Sequence, residues 1–248
     1  MVMPLYDDNP FTQPVKPLVT WCLIAANIAV FFYEASASEA GLNRLIDTFS
    51  LLPAALSGKA SAPGAVPPFL TLVTYQFFHA ELGHLLGNMI FLWVFGDDIE
   101  RALGRWQYLV FYLLSGIIGG LAFVLTNPNS TTELIGASGA ISGIVVAYVM
   151  LRPCAKITVL VGFIPLRISA YWVVGLFIVT QLWNLEASSK SEVAYWCHAG
   201  GMLAGCLLFP LMKPRSLRLF ECMQPARETV VQIGPRPTAG PSEVDGLR

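Results

Sequence analysis

The chain has 248 residues and a formal net charge of −1, and 55% of its residues are hydrophobic whereas only 12% are charged. Soluble domains carry roughly 25% charged residues, so this composition excludes an ordinary soluble domain and indicates a protein that uses lipid as its solvent. The near-zero charge gives no reason to expect a nucleic-acid partner.

Residues 1–17 form an acidic, proline-rich stretch, MVMPLYDDNPFTQPVKP. No small-residue cleavage site follows the first apolar run. We therefore expect that run to be a retained membrane span and not a cleaved signal peptide, with residues 1–17 as a cytoplasmic N-terminal segment.

Six apolar segments follow, and they predict an all-α membrane protein with six transmembrane helices. They cover residues 18–33, 82–96, 106–126, 138–151, 168–184 and 193–212. A long mixed stretch separates the first two, and its part SGKASAPGAVPP is expected to be an irregular loop. Beyond the six-helix domain at residues 18–212, residues 213–248 are polar and are expected to form a disordered cytoplasmic tail.

The lysines and arginines are distributed unevenly between the predicted loops. With the N-terminus inside, twelve of the fifteen would be cytoplasmic, and only Arg44, Lys59 and Lys190 would lie outside. Because cytoplasmic loops retain positive residues, this distribution predicts that both termini are cytoplasmic. A six-span core without an organelle-targeting leader is typical of a bacterial inner membrane protein, which is the location we expect.

The five cysteines show no CxxC pair, and most lie in or beside apolar runs. They are Cys22, Cys154, Cys197, Cys206 and Cys222. We expect small buried hydrophobic side chains and not disulfides or zinc ligands.

Glycines recur at helix-packing spacing in three of the spans. The pairs are Gly116 and Gly120, Gly139 and Gly143, and Gly201 and Gly205. Such pairs let helix backbones approach closely in lipid. If spans four and six pack on these faces, the polar residues near the glycines are brought together.

Polar groups stand inside the even-numbered spans, where ionisable side chains are costly and indicate functional sites. They are His84 with Asn88, Ser138 within GASG, and His198 within CHAGG. Counting back from the first charged residue at the cytoplasmic end, at about 1.5 Å per residue, gives all three a depth of roughly 20 to 22 Å. In a core about 30 Å thick, they occupy one level some 8 to 10 Å below the outer surface.

Span four, residues 138–151, would cover only about 21 Å as a helix, so its N-terminus must start within the membrane. Irregular backbone at that depth is tolerated only where it is buried in protein or lines a water-filled cavity. A hydrolase within lipid needs such a cavity to admit water.

A serine hydroxyl becomes nucleophilic when a neighbouring base takes its proton, and neutral histidine is suited to that task near pH 7. Ser138 and His198 supply this pair. Free N–H groups at the start of the Ser138 helix favour a developing oxyanion, and the side chains of His84 and Asn88 can add donors. No acid is obvious at this depth, so we predict a dyad without a buried carboxylate.

These residues resemble the rhomboid family of intramembrane serine proteases. The resemblance covers residues 20–212 and rests on FFHAELGHLLGNMIFLWVFGDDIERALG, GASGAISGIVVAY and HAGGMLAG, in this order on successive even-numbered spans. GxSG alone is a weak signal, whereas the combination is highly specific.

The resemblance implies a six-transmembrane-helix rhomboid-like bundle with a water-filled cavity open to the extracytoplasmic side, and no cofactor. It implies that Ser138 and His198 are the catalytic dyad and that His84, Asn88 and the backbone N–H of Ser138 form the oxyanion hole. The implied substrates are transmembrane proteins with helix-destabilising residues near the cut.

Two positions depart from the family pattern. Leu70-Thr71 replaces a Trp-Arg pair that many members carry, and Ser142 replaces an aromatic that often packs on the base, so we expect another side chain or the backbone to hold the ring. His79 is interpreted as structural, because on a continuous helix it would point about 140° away from His84.

Three alternative functions would use the same polar groups. A zinc metalloprotease could use the three histidines, yet the chain has no HExxH motif and no neighbouring carboxylate ligand. A transporter would predict two related halves with paired discontinuous helices, and no such repeat is visible. A catalytically inactive rhomboid-like binder of membrane clients would be expected to lack the serine or the histidine, and both are present. The sequence leaves the oligomeric state and the physiological substrate open.

Overall fold

The computed structural model describes residues 2–8, 16–185 and 193–222, and helices dominate them. In chain order the elements are β1 (Val2–Asp7), α1 (Leu18–Ser36), α2 (Glu39–Phe49), α3 (Pro53–Leu56), α4 (Thr71–Thr74), a 3-10 turn (Tyr75–Phe77), α5 (Leu82–Leu103), α6 (Arg105–Thr126), α7 (Ser138–Leu151), β2 (Lys156–Val161), β3 (Ile164–Ser169), α8 (Ala170–Trp183) and α9 (Tyr195–Met212).

Each of the six predicted apolar segments falls largely on one helix, namely α1, α5, α6, α7, α8 and α9. Three of them, α1, α6 and α9, are long and apolar enough to cross a membrane in the part of the chain that the structure describes. Helices α7 and α8 are apolar but have only 14 residues each. The protein is therefore a mostly helical integral membrane protein.

Helix α5 extends beyond its predicted end at residue 96, because its charged last turns find partners inside the protein. The side chains of Asp98 and Arg152 form a buried ion pair, with 2.9 Å between Asp98 Oδ2 and Arg152 Nε. The carboxylate of Glu100 accepts from the first-turn N–H groups of α1, at 2.9 Å from Val19 and 2.7 Å from Thr20. Paired charges of this kind let a helix continue with polar residues in a buried position.

Helices α7 and α9 pack on their glycine faces, as the sequence predicts. A Cβ atom on Gly201 would collide with the carbonyl oxygen of Gly139, and one on Gly205 would collide with that of Gly143. The glycine pair of α6 packs differently, because Gly116 and Gly120 face side chains of the long loop between α1 and α5. The close contact between α7 and α9 brings the start of both helices together.

A three-stranded antiparallel sheet, in the order β1-β2-β3, departs from the all-α prediction. Strands β2 and β3 form a hairpin around Gly162, whose φ of +64° suits glycine. The segment KITVLVGFIPLRIS is rich in β-branched residues, which favour strands. Ile157 and Val159 of β2 are buried against the helices, so the hairpin is part of the core between α7 and α8.

The expectation that no cysteine is disulfide-bonded was wrong for two of the five. Cys154 and Cys222 form a disulfide with Cα atoms 5.2 Å apart. These residues are 68 positions apart, so no local spacing motif could reveal the pair. Cys197 is buried as predicted, whereas Cys22 and Cys206 are exposed.

The long loop between α1 and α5 contains α2, α3 and α4, while its part 57–68 is irregular as predicted. Beyond α9 the chain returns to the bundle, where the backbone N–H of Phe220 donates to the carbonyl of Met150 at 2.7 Å. Residues 223–248, which make up most of the predicted disordered tail, lie outside the described residues.

Candidate active site

Ser138 is the first residue of α7. The loop before it is fixed by backbone hydrogen bonds to two other segments. The backbone of Leu134 pairs with that of Leu51 through two hydrogen bonds of 2.9 and 3.0 Å, and the N–H of Gly136 donates to the carbonyl of Tyr75 at 2.9 Å. Gly136 has a φ of +124°, a conformation that side chains rarely allow. The long first loop thus positions the backbone that leads into Ser138.

His198 lies in the first turn of α9 and contacts Ser138 directly. The distance between His198 Nε2 and Ser138 Oγ is 2.7 Å. The glycine contacts between α7 and α9 make this approach possible, because larger residues would separate the two helix starts. As whole residues, Ser138 and His198 are each partly exposed to solvent.

Gln181 of α8 is a site residue that the sequence analysis missed. Its amide oxygen lies 2.7 Å from His198 Nδ1, on the side of the ring opposite Ser138. The ring of Tyr195 contacts the imidazole edge-on at a centroid distance of 6.3 Å. Ser142, which replaces the usual aromatic, donates instead to the carbonyl of Ser138 at 2.8 Å. A polar side chain within an apolar segment was the signal that could have found Gln181.

His84 and Asn88 stand one turn apart on α5 and face the backbone before Ser138. A Cβ atom on Gly136 would lie 2.8 Å from His84 Nε2 and 3.8 Å from Asn88 Nδ2. The Asn88 side chain is buried, and its Nδ2 has no hydrogen-bond partner among the residues that the structure describes. Buried donors are nearly always paired, so an unpaired one that faces the backbone just before Ser138 is available to a ligand.

His79 and His84 are closer than the sequence analysis predicted. Their rings meet edge-on with centroids 5.1 Å apart. The expectation that His79 would point about 140° away from His84 was wrong, because α5 begins only at Leu82 and His79 does not follow the helical spacing. Burial lowers the pKa of His79 to about 4, and the neighbouring His84 adds to the effect. His79 is therefore neutral near pH 7.

Among the described residues, the side-chain hydrogen bonds of His198 go to Gln181 and Ser138 and not to a carboxylate. Glu133 lies in the loop before α7, where burial raises the pKa of its carboxyl group and the nearby Asp47 adds to the rise. Within residues 2–8, 16–185 and 193–222, no group of three or more histidine, cysteine, aspartate or glutamate side chains is placed to hold a metal ion.

Comparison with known proteins indicates the family of the chain. The family model for the rhomboid domain matches residues 67–215, a range that contains Ser138, His198, Gln181, His84 and Asn88. RHOMBOID-like protein 12, mitochondrial, from Arabidopsis thaliana is 29% identical over 165 residues, which are 60% of this chain and 48% of that protein.

Two further relatives come from yeast and from a bacterium. Rhomboid protein 1, mitochondrial, from Saccharomyces cerevisiae is 32% identical over 145 residues, 56% of this chain and 40% of that protein. Rhomboid protease GluP from Bacillus subtilis is 31% identical over 132 residues, 53% of this chain and 24% of that protein. The matched part spans less than half the length of each of these three relatives.

Proposed function

The chain belongs to the rhomboid family, and from this premise we propose that it is an intramembrane serine endopeptidase. It would hydrolyse peptide bonds in or near the transmembrane segments of other membrane proteins. The observation that carries the proposal is the 2.7 Å distance between Ser138 Oγ and His198 Nε2, because this contact lets a histidine take the proton of a serine hydroxyl.

The proposed reaction is acyl transfer through a covalent intermediate. Ser138 Oγ attacks the carbonyl carbon of the scissile bond while its proton passes to His198 Nε2. His198 then gives that proton to the leaving amine, and the carbon–nitrogen bond breaks to leave an acyl ester on Ser138. A water molecule activated by His198 hydrolyses the ester and restores both side chains. The reaction needs no cofactor.

The backbone N–H of Ser138 and the side chains of His84 and Asn88 are the proposed oxyanion hole. The unpartnered Nδ2 of buried Asn88 supports this role, as does the place of His84 against Gly136. The start of α7 adds the positive end of a helix dipole. Donors that are already in place stabilise the transition state without reorganisation, each by about 2.7 to 4 kcal/mol.

We propose that helices α1, α5, α6, α7, α8 and α9 all cross the bilayer and enclose a water-filled cavity open to the extracytoplasmic side. The partial exposure of Ser138 and His198 supports access for water. In this scheme residues 18–212 form the protease domain, between a cytoplasmic segment at 1–17 and a cytoplasmic tail at 213–248. The partners are the lipid bilayer and transmembrane protein substrates.

The cell membrane of a bacterium, with both termini cytoplasmic, is the proposed location. The distribution of lysine and arginine supports the orientation. The relatives do not select one membrane, because GluP is a Bacillus subtilis protein whereas two others are described as mitochondrial.

The test is cleavage of a model single-span substrate by the purified full chain in detergent and in liposomes. We expect Ser138→Ala and His198→Ala to lower the rate by at least about 10³-fold. A matched control is Ser115→Ala, which removes a buried serine hydroxyl from α6 and should keep the rate within a few-fold. Thermal unfolding should show that all variants keep their fold.

Full activity in Ser138→Ala would contradict the proposal. If the wild type bound the substrate without cleaving it, the chain would instead be an inactive binder of membrane clients. Unchanged activity in the presence of metal chelators is expected and separates this mechanism from a zinc protease.

A further inference from the structure

We infer that Gln181 is a positioning residue, whose side-chain oxygen accepts the Nδ1–H of His198 and keeps Nε2 free to take the Ser138 proton. This inference rests on the proposed function, and it assigns a role to a residue on α8 that the serine and histidine motifs do not contain. The carrying observation is that His198 has contacts of 2.7 Å at both ring nitrogens, one to Gln181 and one to Ser138.

The two contacts together select one tautomer of the imidazole. A neutral histidine carries one N–H, and its other nitrogen is an acceptor. The oxygen of Gln181 only accepts, so the hydrogen belongs on Nδ1. Nε2 is then the acceptor that faces the hydroxyl of Ser138, which is the form that a general base requires.

A neutral amide suits this position better than a carboxylate would. In Ser-His-Asp triads a buried aspartate holds the imidazole in the correct tautomer and stabilises its charged form. A charged side chain within a bilayer is costly, whereas an amide supplies an acceptor without a charge. Gln181 can therefore orient His198 with a smaller desolvation penalty than a carboxylate would have. It also stabilises the protonated ring less than a carboxylate would.

Because Gln181 lies on α8, the orientation of His198 depends on how the end of α8 packs against the rest of the protein. Only two side chains of α8 are buried, Ala170 and Val174, and both belong to its first two turns. Gln181 lies in the last turn, next to the exposed Leu182 and Trp183. The hydrogen bond to His198 is thus a polar link between the lightly packed end of α8 and the dyad.

The first test is kinetic. Gln181→Met keeps the length of the side chain but removes the amide oxygen. We expect kcat to fall about 10- to 100-fold, the range known for groups that orient a metal-binding histidine, with little change in KM. Gln181→Glu restores an acceptor, so it should recover most of kcat. Its carboxylate should also move the acid limb of the pH–rate profile to higher pH, because a negative charge favours the protonated ring.

The matched control is Thr180→Val on the same turn of α8. The Thr180 hydroxyl donates to the carbonyl of Phe177 and does not touch the dyad. This variant should keep both kcat and the acid limb of the wild type. A purely structural role for Gln181 would lower thermal stability and activity together in Gln181→Met and would leave Gln181→Glu without rescue, and that result overturns the inference.

The second test reads the tautomer without any cleavage. The chain has only three histidines, so ¹⁵N-histidine labelling and NMR above pH 7 can resolve His198. We expect the Nδ1–H form in the wild type and a mixture of both tautomers in Gln181→Met. The same single tautomer in both proteins would overturn the role of Gln181. Loss of the proposed function would instead appear as equal cleavage by wild type and Ser138→Ala, whatever the NMR spectra show.

Discussion

Helices α5 and α7 carry polar side chains at both ends, and the two ends are built differently. At one end, which we call the charged end, Asp98 pairs with Arg152, and Glu100 accepts from the first turn of α1. At the other end, the site end, a hydroxyl meets an imidazole while the buried nitrogen of Asn88 has no partner among the described residues. Buried charges that pair with each other hold a fold together, whereas a buried donor without a partner is available to a ligand or a reacting atom.

This comparison predicts that substitutions at the two ends have separable effects. Loss of a partner at the charged end should lower the free energy of unfolding and leave the turnover of folded protein unchanged. Loss of a group at the site end should lower turnover and leave stability nearly unchanged.

The largest expected effect on stability follows from Arg152→Met. The substitution removes the guanidinium and leaves the carboxylate of Asp98 in a buried place, which costs about 3 to 5 kcal/mol in comparable pairs. Unfolding by denaturant in mixed micelles measures this change. The control is Arg105→Met, which removes an exposed arginine at the start of α6 and should change little. Equal stability of both variants would contradict the claim that the charged end stabilises the fold.

The next largest expected effect is a fall in kcat after substitution of Asn88. Asn88→Ala should lower kcat about 10²- to 10³-fold, because one oxyanion donor is lost. Its stability should be unchanged or slightly higher, since a buried donor without a partner costs free energy. Substrate titration and thermal unfolding check the two parts.

Asn27→Ala is the matched control for Asn88. The side chain of Asn27 is also buried, but its amide donates to the carbonyl of Leu23 at 2.7 Å on α1. This variant should lose stability and keep kcat. The opposite pattern in the two asparagine variants would show that Asn88 is structural.

The smallest expected change in stability is that of Thr20→Val at the charged end. Thr20→Val removes one hydroxyl, which donates to Glu100 at 2.8 Å, and keeps the shape of the side chain. We expect a loss of about 0.5 to 1.5 kcal/mol in unfolding free energy and no change in kcat. A change in kcat without a change in stability would mean that the two ends are coupled.

The sequence was informative where a pattern is local or where polar residues interrupt an apolar run. The six apolar segments predict the six longest apolar helices, and the glycine spacing predicts the contact between α7 and α9. Counting residues from the charged ends put Ser138 and His198 at one depth, and the structure brings their side chains together. The proposed roles of these residues remain predictions.

Features that depend on distant pairing were missed. Strand β1 pairs with β2 over a sequence separation of at least 150 residues, and Cys154 pairs with Cys222, so neither pairing leaves a local signature. The end of α5 was placed too early because the partners of Asp98 and Glu100 lie on other helices. Gln181 was missed because the sequence does not show that this side chain of α8 faces His198 on α9.

Reaction with a fluorophosphonate, which modifies activated serine hydroxyls, tests the central claim most directly. Mass spectrometry of the labelled protein locates the adduct. We expect an adduct on Ser138 in the wild type and almost none in His198→Ala at the same pH and time, because the unassisted hydroxyl is a weak nucleophile. Labelling of Ser138 at equal rates in both proteins, or an adduct only at another residue, would contradict the account.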